Sequence, residues 1–173
     1  MDDSIRVLID EEEVENGIRR MARQINEDYD GKVLHLICVL KGGAFFMCEL
    51  AKRITVPVTM DFMYVSSYGS STVSSGNIRI KKDLDESVEG RDVLVVEDII
   101  DSGRTLKALV ELLKTRNPAS IEVCTLLDKP ERRIVDVDVK YTCFNIPDEF
   151  VVGYGLDYDQ KYRNLPYIGV VEI

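Results

Sequence analysis

The chain has 173 residues, 45% hydrophobic and 31% charged, enough for one domain, residues 1–173, with a sizeable core. Its 31 acids against 22 Lys and Arg give a net charge of −9, which argues against nucleic-acid binding. One histidine, no tryptophan and no cysteine pair at zinc spacing leave little material for Ser–His–Asp or zinc-hydrolase chemistry.

The N-terminal MDDSIRVLIDEEE is acidic where a secretory leader is basic and then apolar, so a cytoplasmic protein is expected. No apolar run approaches the ~18 residues of a membrane span. Asp10–Tyr29 is predicted as an amphipathic helix, with Val14, Ile18, Met21 and Ile25 at three- and four-residue spacing. Lys32–Leu40 is a nearly unbroken apolar run, the pattern of a strand covered on both faces. His35 lies inside that run and is expected to be a core or strand-end residue. Lys41-Gly42-Gly43 stops the run, a helix is expected over Ala44–Ile54, and Pro57–Val65 reads as a second strand.

Ser66–Gly76 contains six serines and two glycines, the composition of a mobile surface loop. A short strand is expected at Asn77–Lys82, a polar turn at Asp83–Arg91 and a buried strand at Val93–Val96. A loop then leads to the helix Thr105–Thr115, and strands follow at Ser120–Leu127, Tyr141–Asn145 and Phe150–Val152. Ile168–Ile173 is expected to add a small edge strand. Cys38, Cys48, Cys124 and Cys143 each sit in apolar runs and are expected to be buried free thiols. The alternation of strands and helices predicts an α/β domain with a mainly parallel central sheet flanked by helices. Ligands in such sheets gather beyond the carboxyl ends of the strands, here the loops after Leu40, Val65, Val96 and Leu127.

One of those loops carries chemistry. Glu97 and Asp98 are adjacent carboxylates at a strand end, and their side chains point to opposite faces. Asp101-Ser102-Gly103-Arg104-Thr105 then enters a helix. The glycine allows close backbone approach, and the free N–H groups and dipole of a helix start favour a phosphate. On these residues alone a capped helix and a solvated acidic turn account for the pattern as well. The two carboxylates ahead of a phosphate cradle fit a phosphate joined to a diol-bearing sugar, and a Walker A motif is missing.

VLVVEDIIDSGRTL, Val93–Leu106, resembles the phosphoribosyl-pyrophosphate signature of the type I phosphoribosyltransferases. The resemblance implies that family's fold, with a small hood and a mobile lid loop beside the central sheet. It also implies that Glu97 and Asp98 serve the ribose hydroxyls and an associated Mg²⁺, and that Asp101–Thr105 hold the 5′-phosphate. Leu40-Lys41-Gly42-Gly43 resembles the pyrophosphate loop of the hypoxanthine–guanine members, in which the matching Leu40–Lys41 peptide can be cis. In those members a lysine at the position of Lys129 donates to the purine 6-oxo group; an ammonium has donors and no acceptor, so it mismatches adenine. Phe150–Tyr158, FVVGYGLDY, resembles their purine-binding stretch. There Phe150 would stack on the base, Val151 would offer backbone groups, Asp157 would help place a second Mg²⁺, and Arg163 would clamp the pyrophosphate. Asp101 would be the general base at N7, and Ser67 and Tyr68 would belong to the lid.

The resemblance runs from about Val7 to the end of the chain and implies Mg-dependent purine salvage from hypoxanthine or guanine by a homodimer or homotetramer. A non-catalytic sensor of phosphoribosyl pyrophosphate and a xanthine-preferring relative are the competing readings.

Overall fold

The computed structural model describes residues 4–67 and 77–172. A short strand, β1 (Ser4–Ile9), leads into helix α1 (Glu11–Asp28). Asp10 caps α1, its Oδ1 accepting from the Glu13 backbone at 2.8 Å, and three glutamates in the first turn face the positive end of the helix dipole. The apolar stripe of α1, including Val14, Ile18, Met21 and Ile25, is buried. Gly17 lets α1 approach the sheet closely; a methyl there would meet the Phe144 ring within 2.8 Å.

Strand β2 (Leu34–Val39) is buried at every position, as its apolar run requires. It is followed by α2 (Ala44–Ala51), β3 (Val58–Ser67), β4 (Ile78–Lys82) and β5 (Asp92–Ile100). Then come α3 (Arg104–Lys114), β6 (Ser120–Asp128), a 3₁₀ turn at Pro130–Arg132, β7 (Tyr141–Asn145), β8 (Val151–Val152) and β9 (Ile168–Glu172). The larger sheet has the order β4-β3-β2-β5-β6-β7, with all neighbours parallel except β4 against β3.

This sheet has two apolar faces. Leu34, Leu36 and Cys38 of β2 pack with α1 and α2, while Ile37 and Val39 pack with Leu106, Leu109 and Leu113 of α3. Each fully buried leucine of α3 contributes about 1.5–3 kcal/mol of transfer free energy, enough to hold the helix start in place. The smaller sheet, order β1-β9-β8, is antiparallel and shares the core on the α1 and α2 side through Ile168, Val170 and Val151. It is the hood. Among the described residues no helix is long and apolar enough to cross a membrane.

Four expectations change. Strand β5 does not stop at Val96; it runs to Ile100 because Glu97, Ile99 and Ile100 continue the parallel ladder with Thr125, Leu127 and Asp128. The last strand, β9, is the centre of the hood and not an edge, since β1 and β8 pair on either side. Phe150 precedes β8 and is not part of it. Cys48 is exposed, whereas Cys38 and Cys124 are buried and Cys143 is half-buried. His35 is buried near the start of β2, where its Nδ1 lies 2.6 Å from Thr59 Oγ1 and accepts from Arg91 at 3.3 Å. Burial first, and the Arg91 charge second, lower its pKa, so it is a neutral structural residue at the opposite end of the strand from the carboxyl-end loops.

Candidate active site

Strand order reverses between β2 and β5: the chain goes from β2 outward to β3, and from β5 the other way to β6 and β7. Loops leaving the carboxyl ends of two such strands diverge and open a crevice. Here those loops are Leu40–Gly43 and Asp101–Gly103.

The first of them is drawn tightly against its neighbours. Its Leu40–Lys41 peptide is cis. Gly42 lies against Asp98: a methyl at Gly42 would overlap Asp98 Oδ2 and come within 2.7 Å of its Cγ. From the other side, Gly155 (φ +100) has only hydrogen where a methyl would overlap the Gly42 carbonyl oxygen. The Gly153–Arg163 loop can thus rest directly on the Leu40–Gly43 turn, a close approach that needs glycine.

At the end of β5, Glu97 is buried, and Asp98 is half-buried beside Gly42. Desolvation, followed by the charge of Asp98, pushes the Glu97 carboxyl well above the usual range. Burial raises Asp98 to about 6, although its Oδ1 accepts from the Ile99 backbone at 2.7 Å. The two carboxyls stay close enough for Asp98 to act on Glu97 through both its charge and a side-chain hydrogen bond. The two adjacent carboxylates, one buried and one half-buried, form an acidic wall suited to hydroxyl donors or a cation.

Beyond β5 the chain turns through Asp101, Ser102 and Gly103. Gly103 is the N-cap of α3 at φ +82 and has no side chain to block the helix start. Ser102 Oγ accepts from the Arg104 backbone at 3.3 Å, so a capping role is present as well. Glu97, Asp101, Ser102, Gly103 and Thr105 border one cavity of about 280 Å³. Arg104, the first residue of α3, is half-buried.

On the far side of Asp101, Lys129 is buried just past β6. Its Nζ lies 3.6 Å from Asp101 Oδ1 and 3.9 Å from Asp148 Oδ1. Phe150 is 48% exposed, unusual for a phenylalanine, and meets the edge of Tyr158 at 5.5 Å between centroids. Val151 is buried in β8 opposite Val170. Arg163 donates to the Gly155 carbonyl at 2.7 Å and to Gln160 Oε1 at 3.1 Å, and pairs with Asp157 at 3.4 Å. Lys41 Nζ also donates to Gln160 Oε1, at 3.3 Å, so the Lys41 and Arg163 cations converge on one amide.

Gln160 thus joins Lys41 to Arg163, which pairs with Asp157, and Gly42 rests on Asp98 and Gly155. Glu97, Asp101, Ser102, Gly103 and Thr105 border the cavity with Lys129 beside Asp101, and Val151 lies in the hood with Phe150 just before it. Glu97, Asp98 and Asp157 do not form a closed metal cage: among the described residues no three His, Cys, Asp or Glu side chains converge on a point. Ser67 ends β3 at an exposed position, and Tyr68 lies outside the described residues. The sequence did not disclose Asp148, Gln160, Asp128 or Arg133, each a lone polar residue on a loop or strand end. Gly155 had a visible signal in the close spacing of Gly153 and Gly155, which suggests a tight turn.

Residues 8–159 match the phosphoribosyl transferase domain family. The chain belongs to that family. This phosphoribosyltransferase is 51% identical over 167 residues to the hypoxanthine-guanine phosphoribosyltransferase of Streptococcus thermophilus, covering 96% of this chain and 93% of the relative. It is 54% identical over 167 residues to the bifunctional protein TilS/HprT of Listeria monocytogenes, covering 96% of this chain and 26% of that protein. Among solved structures, a hypoxanthine-guanine phosphoribosyltransferase of Bacillus anthracis superposes with a TM-score of 0.95 at 46% identity, covering 98% of this chain and all of that one. The fold is that of the type I phosphoribosyltransferases, with β1, β8 and β9 as its hood.

Proposed function

We propose that this phosphoribosyltransferase moves the phosphoribosyl group of phosphoribosyl pyrophosphate to N9 of hypoxanthine or guanine. The products are the nucleoside monophosphate and pyrophosphate. The observation that carries this reading is the pairing of a buried ammonium, Lys129, with the Asp101 carboxylate 3.6 Å away, at the lip of the helix-start cavity. Such a pair complements a 6-oxopurine edge: Lys129 donates to O6 while Asp101 accepts from N7–H. Phe150 supplies an exposed ring for stacking on the base, and the backbone at Val151 meets the base edge.

The 5′-phosphate sits on the start of α3, held by the backbone of Ser102, Gly103, Arg104 and Thr105 and the hydroxyls of Ser102 and Thr105. Glu97 and Asp98 take the ribose hydroxyls. Lys41, the Gly42 backbone and Arg163 take the pyrophosphate, Arg163 through a planar bidentate fork. N9 bonds to C1′ as the C1′–oxygen bond breaks with its electron pair passing to pyrophosphate. Asp101 accepts the purine N7 proton, a positioned-base contribution typically worth ~10²–10⁴-fold.

The donor set suits Mg²⁺. Glu97, Asp98 and Asp157 offer hard carboxylate oxygens, and the raised pKa of the first two marks negative charge that burial leaves poorly compensated. Mg²⁺ usually keeps one or two carboxylates and takes its other ligands from phosphates and water, so one or two of these side chains suffice to hold it. Bound there, it would neutralise charge on the pyrophosphate. A homodimer or homotetramer is the assembly that membership of the family suggests, and sedimentation would measure it. The function is tested by kcat/KM for hypoxanthine, guanine, xanthine and adenine with phosphoribosyl pyrophosphate and Mg²⁺. Turnover of the two 6-oxopurines first named is expected, and inertness toward all four bases would replace the enzyme by a sensor.

A further inference from the structure

The geometry points to Arg133, held by Asp128, as a positioning residue that aims the phosphate cradle and Asp101 from behind. Arg133 follows the 3₁₀ turn Pro130–Arg132, immediately after Lys129 and the end of β6. Its guanidinium makes a close ion pair with the Asp128 carboxylate, and both side chains are largely covered, at 20% and 14% exposure. From that anchored position its Nε donates to the Asp101 carbonyl oxygen at 3.3 Å.

The two residues after it continue the same task. The backbone N–H groups of Ile134 and Val135 both donate to the Ser102 carbonyl oxygen, at 3.0 and 3.2 Å. The Arg133 stem also packs beneath Gly103; a methyl built on Gly103 would lie 3.0 Å from Arg133 Cδ. Two consecutive carbonyls of the Asp101–Gly103 turn are therefore drawn toward one strut.

Planarity of the peptide converts this into a statement about the site. In a trans peptide the C=O and the following N–H point in opposite directions. Drawing the Asp101 carbonyl toward Arg133 turns the Ser102 N–H away from it, and drawing the Ser102 carbonyl to Ile134 and Val135 does the same for the Gly103 N–H. Those N–H groups are the donors that a phosphate at the start of α3 requires. The same peptide carries Asp101, so its carboxylate direction toward Lys129 depends on the strut too. Lys129 and Arg133 flank one short turn, which couples the base-reading end of the crevice to its phosphate end.

This inference rests on the transferase reading of the site. Arg133→Met removes the guanidinium while keeping much of the stem, and Asp128→Asn removes the anchoring charge at constant size. Initial rates are measured for both variants, with each substrate varied at saturation of the other and with kcat followed against pH. Misplacement of the cradle should lower kcat/KM for phosphoribosyl pyrophosphate on the order of 10²-fold in Arg133→Met. The KM for hypoxanthine should rise less than that for phosphoribosyl pyrophosphate, because Asp101 moves with the cradle while Lys129 and Phe150 still hold the base.

Asp128→Asn should move the same quantities in the same direction, and the double variant should be no worse than Arg133→Met alone, because the two act as one unit. Arg133→Lys, which keeps the charge but not the planar fork, should recover part of the loss. A kcat/KM for phosphoribosyl pyrophosphate within about threefold of wild type in both single variants would overturn the inference. So would an equal rise in both substrate KM values with an unmoved pH profile, the sign of general loosening. A wild-type enzyme inert toward every purine would instead overturn the reading beneath it.

Discussion

Gly42→Ala is the smallest change that probes the crevice. Gly42 does not have a positive φ, so alanine is acceptable to its backbone. The three atoms nearest the added methyl all belong to the Asp98 side chain: it overlaps Oδ2 and lies 2.7 Å from Cγ and 3.4 Å from Cβ. That carboxylate is the end of a rotatable side chain, so Asp98 yields and the loop stays. Swinging it away gives up the 2.7 Å bond from the Ile99 backbone, a loss of about 1 kcal/mol. Replacing glycine offsets about 0.4–1 kcal/mol of this by restricting the unfolded chain. The thermal midpoint should therefore move by no more than about 3 °C. Function should move much more, because a carboxylate contact to the ribose or its metal contributes about 1.5–3 kcal/mol. That corresponds to a loss of roughly 10- to 150-fold in kcat/KM for phosphoribosyl pyrophosphate. The assay varies this substrate at saturating hypoxanthine, beside a circular-dichroism melt. Placing Gly42→Ala on an Asp98→Ala background should then cost nothing further. A fall of about 10 °C in the melt would show that the loop gave way and not the side chain, refuting the steric reasoning.

Asp101→Asn keeps the size of the base but not its basicity, so turnover should drop by ~10²–10⁴-fold while titration calorimetry shows nucleoside monophosphate still binding. Unchanged turnover would remove Asp101 as the proton acceptor. Lys129→Ala deletes the donor to the 6-oxo group and should reduce the ratio of kcat/KM for hypoxanthine over adenine; a wild-type ratio would sink that assignment. Burial raises Asp98 to about 6 and raises Glu97 too, so the protonated forms are favoured in the folded state. The Asp98 contribution to stability is full below the ordinary carboxylate range and is lost as pH rises through about 6, and Glu97 acts in the same direction. A divalent cation should consequently raise the melting temperature more at pH above that value than below it, and an equal rise on both sides would contradict the linkage.

Much of the scaffold is legible where one residue pattern admits one environment. Leu34–Val39 has no polar face, so only a strand covered on both sides accommodates it, and the Val14–Ile25 stripe demands a helix against a core. Helix α2 shows where that logic fails. AFFMCELA is apolar on most of its surface, so periodicity cannot say which side faces out; the structure turns Phe45 and Cys48 outward. Glu97 and Asp98 made β5 look shorter than it is, because carboxylates are poor strand formers and the ladder with β6 overrides that preference. The central place of β9 depends on pairing with β1 and β8, and neither partner is marked within β9 itself.

The site divides along the same line. A phosphate is held by successive backbone N–H groups, so its cradle must be a contiguous turn, and Asp101–Thr105 is readable for that reason. Gly42 and Gly155 are different, since each glycine permits an approach by a segment far away in sequence. Groups that orient the cradle and the base have no need to be contiguous at all. Arg133, Asp128, Asp148 and Gln160 are single polar residues in a chain with 31 acids and 22 Lys and Arg, where an isolated charge carries almost no information. They acquire meaning only when β5 and β6 end side by side and bring Asp101, Asp128 and Lys129 to a common edge. The donors proposed to touch substrate are thus written locally, while the residues proposed to aim them follow from strand order, and the strand reversal between β2 and β5 opens the crevice between their loops.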